Sequence, residues 1–316
     1  MFALSNMGMS LDAQLDKPKV PSMNVSNTAT CVPFDYGVAF SRTLGWITGD
    51  EAQVLRKKRI AVAGLGGVGG HYCEVLARLG VGAFTVADFD RFGIENMNRQ
   101  AGASMNTIGE FKADVMTRRV LAINPEADIR VFDKGLTTEN IDEFLKDVDL
   151  YVDGLDFFVL DLRFQLFEAL ERKGIPYVTI APLGMGASMV YFDQKSMGFK
   201  KYFALKPGLS FEEKAIHFLA GIAPNLKHSR YLVDSKYVDF KAKKGPSTPM
   251  ACYLCAGMAG TIALKSLLGR GGIVRAPQSM HFDSYTNSLS KVRLWFGGYG
   301  PLQMLKRYII RKVVMK

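Results

Sequence analysis

The stretch Arg59-Ile60-Ala61-Val62-Ala63-Gly64-Leu65-Gly66-Gly67-Val68-Gly69 decides the fold of this chain. An apolar run of strand length feeds directly into a glycine-rich turn. Beyond it Val68, Tyr72, Val75, Leu76 and Leu79 recur at helical spacing. A strand, a tight turn and a helix in that order aim backbone N–H groups and the positive helix end at an anion. Gly64 permits the turn, Gly66 lets a phosphate approach the backbone, and Gly69 lets helix and strand pack closely, with Gly67 between them. Gly80 and Gly82 close the helix, and Ala83 to Ala87 supplies a second buried strand that ends at Asp88, where an acidic residue takes ribose hydroxyls.

Taken alone, these residues describe a dinucleotide fingerprint. The next residues along the chain depart from it. Asp88-Phe89-Asp90 leads to Asn96-Met97-Asn98-Arg99-Gln100 and then to Lys112, on the first turn of the next predicted helix. Asp153 and Asp156 come after a further strand, Asp149 to Val152. A dinucleotide pyrophosphate is neutralised by backbone amides and needs few side-chain cations. A nucleoside triphosphate about to lose pyrophosphate needs Arg, Lys and a metal ion. A carboxylate opposite the phosphates is where Mg²⁺ would be held.

The segment from Arg59 to about Ala187 resembles the ThiF/MoeB/HesA adenylyltransferases, bacterial relatives of ubiquitin-activating enzymes. It carries GxGGxG, Asp-x-Asp, Asn-x-x-Arg-Gln, a lysine and Asp-x-x-Asp in the family's order. The resemblance implies ATP and Mg²⁺ as cofactors, with Gly64, Gly66, Gly67, Gly69, Asp88, Asp90, Asn96, Arg99, Gln100 and Lys112 around the nucleotide. By the same resemblance Asp88 binds the ribose and Asn96 helps to hold the phosphates. Arg99 and Lys112 grip the β- and γ-phosphates, and Asp156 organises the metal. The family also uses an arginine upstream of the first strand that reaches into a neighbouring subunit, and Arg42 lies about where it belongs. That implies a homodimer. The implied chemistry is attack of a carboxylate oxygen on the α-phosphate of ATP, leaving an acyl-adenylate and pyrophosphate. The implied partner is a ubiquitin-like carrier or a peptide. A tRNA-modifying dehydratase of the same fold is the alternative, and tRNA its partner; Gly109, Lys112, Val115-Met116 and Ile123-Asn124-Pro125 are very like that branch.

The chain also departs from the family. Phe157 stands where an asparagine commonly follows the second aspartate. Relatives bind zinc through two Cys-x-x-Cys pairs, whereas this chain has one, Cys252 to Cys255, with Cys31 and Cys73 elsewhere. Two thiolates do not fill a tetrahedral site, so no zinc is expected. Cys252 and Cys255 start a predicted helix, Met250 to Leu268, whose dipole would lower a thiol pKa. Small buried positions on a core helix account for them better, and the same reading makes this apolar segment a core helix rather than a membrane span.

Strands expected at Asp128 to Phe132, Leu145 to Val152 and Ile175 to Ile180, with a helix over Val159 to Lys173, alternate in the manner of a parallel sheet. The expected fold class is α/β: a doubly wound, mostly parallel Rossmann-like sheet with helices on both faces and a C-terminal extension. Residues 1–36 read as a flexible arm and 37–296 as the adenylylation domain. Within it, 193–248 reads as a polar, Lys-rich crossover with one short helix near Phe211 to Leu219, after a possible strand at Ala187 to Phe192. Residues 297–316 read as a basic amphipathic tail.

With 316 residues, 48% of them hydrophobic, the chain has enough to bury a large core. Four cysteines without a paired framework, and no signal-like start, point to the reducing cytoplasm. The net charge of +10 is concentrated at the end, where no acidic residue follows Asp283 while seven cations do. Such a segment suits anionic lipid, RNA or an acidic carrier, and equally a solvated tail docked on its own domain or a dimer partner. Two other classes stay open: a nicotinamide-dependent oxidoreductase, which leaves Arg99, Lys112 and Asp156 without a role, and an idle carrier-binding subunit, which would lack a phosphate cation.

Overall fold

The computed structural model describes residues 32–239 and 242–314. The arm expected over 1–36 lies outside them as far as residue 31. From Asp35 onward the chain forms one compact unit. Two short helices, α1 (Tyr36–Ala39) and α2 (Gly49–Arg56), precede the first strand, β1 (Arg59–Ala63). The chain then runs α3 (Gly69–Arg78), β2 (Ala83–Ala87), α4 (Lys112–Ile123), β3 (Asp128–Phe132), α5 (Ile141–Phe144), β4 (Leu150–Asp153) and α6 (Leu160–Lys173). It continues with β5 (Tyr177–Leu183), β6 (Gly186–Phe192), α7 (Phe199–Tyr202), α8 (Phe211–Ile222), α9 (Pro249–Leu267), β7 (Gln278–Asp283), β8 (Ser288–Arg293) and α10 (Pro301–Val314).

The eight strands form one sheet in the order β3-β2-β1-β4-β5-β6-β7-β8. The first five are parallel, and the pairs from β5 to β8 are antiparallel. Successive side chains of a strand point to opposite faces, so β1 splits its residues between two cores. Ile60 and Val62 pack with α3, α4 and α9 on one face; Ala61 and Ala63 pack with α5, α6 and α8 on the other. Such double-sided burial explains why these strands read as continuous apolar runs rather than alternating ones.

One expectation needs correction. The crossover is not a polar excursion with one short helix: α8 buries Ala215, Ile216, Phe218 and Ile222, and α7 buries Phe199 and Tyr202. Apolar residues spaced at helical intervals through a lysine-rich background fold it onto the sheet. Lys291 and Arg293 lie on β8, the outer strand of a hairpin, ahead of the 297–316 segment. The basic amphipathic segment is a regular helix over 301–314, and its Ile310 is buried against Ile216 and Ala220 of α8.

The apolar segment near Met250 is α9, the one helix among the described residues long and apolar enough to cross a membrane. Ala251, Cys255, Ala259 and Ala263 on it are fully buried in the core with α3 and the sheet. Small residues at that spacing let helix and sheet approach closely.

Candidate active site

Strand order reverses between β1 and β4, because the chain leaves β1 for β2 on one side and later returns to β4 on the other. Ligands bind α/β sheets in the crevice at such a switch point. The glycine turn sits there. Gly64 adopts φ +83°, and a Cβ on it would overlap the carbonyl of Gly154, which follows β4. A Cβ on Gly69 would overlap the Gly64 carbonyl. Both glycines are therefore required by the protein's own backbone.

Gly66 and Gly67 are different. A Cβ on Gly66 would meet nothing closer than Gln100 Nε2 at 3.6 Å, and one on Gly67 nothing closer than Cys252 Sγ at 3.8 Å. Both distances are ordinary contacts, and neither residue has a positive φ. Nothing among the described residues requires these two glycines, and they leave the turn open to close approach.

Asp88 ties the turn to β2. Its Oδ2 accepts the Leu65 amide at 2.6 Å and its Oδ1 the Asp90 amide at 2.8 Å. Burial nevertheless raises its pKa, against the pull of those amides and of Lys112. Lys112 is the first residue of α4 and only 6% exposed; its Nζ bonds Asp90 Oδ2 at 3.0 Å. Asp90 thus holds the lysine beside the crevice.

Asn96 is buried, and its Oδ1 accepts the Gly93 amide, which shapes the turn before Arg99. The Arg99 guanidinium donates to the Glu95 carbonyl and to Asn98 Oδ1, and its Nε lies 3.9 Å from a Cβ placed on Gly67. The backbone carbonyl of Arg99 meets His71 Nε2 at 2.9 Å, which braces the arginine loop against α3. Gln100 is buried, and its Oε1 has no hydrogen-bond partner among the described residues while its amide nitrogen faces Gly66. The donor that a phosphate oxygen could use is therefore the Gln100 amide nitrogen and not this acceptor.

On the β4 side the two aspartates separate. Asp153 is buried and bonded to Arg163 Nε, the Thr179 hydroxyl and the Tyr151 hydroxyl. It belongs to the frame and not to a metal site. Asp156 is exposed on the following loop, its Oδ1 accepting the Phe158 amide, and its other oxygen has no protein partner among the described residues. Arg163 shapes this loop: besides Asp153 it donates to the carbonyls of Leu155, Asp156, Phe157 and Val159. Sequence reasoning passed over Arg163. The signal was a charge at an inward position of α6, in line with buried Leu160, Phe167 and Leu170.

Cys252 and Cys255 are buried in the core with α9, and burial raises both thiols, against the lowering expected from the helix dipole. For Cys252 the Arg99 charge and a bond to Ser247 oppose the rise without reversing it. Arg42 is not brought to the other candidates. It lies between α1 and α2, which pack by Tyr36 against Gly80 beyond the end of α3, and by Glu51 against Arg270 beyond the end of α9. Both α3 and α9 begin at the crevice, so Arg42 sits at the far end of the sheet.

A model of the ThiF family matches residues 40–296. The chain belongs to the ThiF family. It is 36% identical over 138 residues to the tRNA threonylcarbamoyladenosine dehydratase of Haemophilus influenzae, covering 43% of this chain and 52% of that one. It is 34% identical over 131 residues to the sulfur carrier protein adenylyltransferase of Thermus thermophilus, covering 41% and 48%. The chain thus spans about half the length of these curated relatives. The E. coli tRNA N6-threonylcarbamoyladenosine dehydratase solved in complex with ATP superposes with a TM-score of 0.56 over 76% of this chain and 98% of that one. At 23% identity that likeness is one of fold.

Proposed function

We propose that this ThiF-family chain is an ATP-dependent adenylyltransferase. A carboxylate oxygen of the substrate attacks the α-phosphate, the bond to the β-phosphate breaks, and an acyl-adenylate and pyrophosphate are produced. The observation that carries this reading is the pair of sterically unneeded glycines, Gly66 and Gly67, faced by Gln100 and Arg99. The turn offers backbone amides to phosphate oxygens, and Arg99 and Lys112 add the charge that a departing pyrophosphate needs. Asp88 and Asn96 hold the turns on either side, and ribose would displace an amide from Asp88.

Magnesium fits the donor set: Asp156 presents an oxygen without a protein partner among the described residues, and the phosphates supply the others. When bound, the ion neutralises phosphate charge. No protein nucleophile is required, so buried Cys252 and Cys255 are consistent with the chemistry. Arg42, remote in its own subunit, serves a neighbouring subunit's site in a homodimer of the reducing cytoplasm. The substrate is the C-terminal carboxylate of a ubiquitin-like carrier or a peptide. The similarity to the Haemophilus dehydratase favours a second reading, in which the carboxylate belongs to a modified tRNA base.

Calorimetry with ATP and Mg²⁺, against NAD⁺ and NADP⁺, tests the nucleotide. Arg99→Ala is expected to weaken ATP by about ten- to a hundredfold, the loss of a charge-assisted contact. Binding of a nicotinamide cofactor without ATP affinity would sink the proposal. Pyrophosphate release with carriers, peptides and tRNA then separates the two substrate readings.

A further inference from the structure

We infer that the outward face of α10, with the Trp295-Phe296 pair before it, docks the protein on an anionic membrane surface. The helix is amphipathic the wrong way round for a solvated element. Gln303, Lys306, Arg307 and Ile310 share the side that meets the protein, where Lys306 Nζ donates to the Pro224 carbonyl and Arg307 Nη1 to the Gly298 carbonyl. Leu302, Leu305 and Ile309 form a stripe beside that side and face water, with Leu302 73% exposed. Tyr308 extends that leaf, and Trp295 is 70% exposed. Exposed apolar side chains grouped along one helix mark an interaction site.

Charge says which partner covers it. No acidic residue follows Asp283. Arg311 is matched by Glu213, and Lys306 and Arg307 are spent on carbonyls. Lys291, Arg293 and Lys312 form no ion pair among the described residues. Arg293 rests over the Trp295 ring at 4.2 Å and Lys312 over Tyr308 at 4.7 Å. An apolar leaf with tryptophan, tyrosine and free cations at its border matches acyl chains below and anionic headgroups around them.

A second copy would bring the same unpaired cations against one another. RNA would leave the aliphatic leaf without a partner, because phosphates and sugars do not bury leucine. Lys306, Arg307 and Ile310 hold α10 on the protein, so it would lie along the membrane surface rather than through it.

The test is flotation of the full chain with vesicles of phosphatidylcholine alone and of phosphatidylcholine containing phosphatidylglycerol. The wild type is expected to float with the anionic vesicles, and less so as salt is raised. Leu305→Glu combined with Ile309→Glu should lower the partition coefficient by about a hundredfold or more, from the loss of two buried aliphatic side chains. Both positions are exposed, so the melting curve and ATP binding should stay as in the wild type. Arg293→Ala with Lys312→Ala should weaken binding to the anionic vesicles alone. Absence of flotation by folded protein would overturn the inference, as would equal binding to both vesicles. So would sedimentation showing a dimer, or a gel shift showing tRNA binding, that the glutamate variant abolishes.

Discussion

Gly69 lies so close to the Gly64 carbonyl that no side chain fits, whereas Gly66 has room for one. The two positions should therefore fail in different ways. Gly69→Ala is expected to cost about 3 kcal/mol of stability or more, since backbone would have to move. Gly66→Ala should leave stability within about 1 kcal/mol of the wild type, because its φ is one alanine adopts readily. Its ATP affinity should nevertheless fall at least tenfold, about 1.4 kcal/mol, as the methyl occupies the space of a phosphate oxygen. Urea titration and calorimetry on both variants check the contrast, and a stable Gly66→Ala that binds ATP normally would remove the reason given for that glycine. The glycine pattern was legible in the sequence, but which glycines serve the fold and which serve a ligand was not. That distinction depends on the loop after β4, Gly154 above all, which lies 90 residues beyond Gly64. The same holds for Asp153 and Asp156. Their spacing looks like a pair, and only the position of Arg163 shows that one belongs to the frame and the other is exposed on the loop.

Elements whose buried faces are apolar announced themselves, and those with inverted faces did not. The strands β1, β2 and β4 read as strands because nearly all their residues are apolar and buried. The strand β7 buries Ser279, His281 and Asp283 and leaves Met280 and Phe282 partly exposed, so its alternation runs against the usual sign. No hydropathy pattern finds such a strand. At α6 a single inward charge carries an element-scale consequence. Arg163 pairs with Asp153 at 2.8 Å with both side chains buried, and it gathers four carbonyls of the Leu155–Val159 segment. Arg163→Met would leave Asp153 buried without its countercharge and is expected to cost about 3–5 kcal/mol in a urea titration. Arg163→Met combined with Asp153→Asn should recover part of that loss, because the uncompensated charge disappears. No recovery would mean that the carbonyl contacts, rather than the ion pair, hold the loop.

For the whole molecule, the position of Arg42 turns a local expectation into one about assembly. The crevice lies at the carboxyl ends of the strands, while Arg42 precedes α2 near the other end of α3 and α9. A long side chain does not cross a sheet, so an Arg42 that acts on the nucleotide acts on another subunit's. In a two-fold dimer each site then draws Arg99 from one chain and Arg42 from its partner. Arg42→Ala and Arg99→Ala should each lower pyrophosphate release; an arginine supplied in trans to a phosphate transition state contributes about a thousandfold. Mixed in equal amounts and allowed to exchange, half the dimers are heterodimers. Each of these holds one site in which both arginines are intact, so about a quarter of wild-type activity should return. Recovery should fail when the subunits are crosslinked before mixing, which separates exchange from contamination. If sedimentation shows heterodimers and activity stays absent, Arg42 is an ordinary surface residue, and the phosphate charge is met within one chain by Arg99, Lys112 and the bound metal.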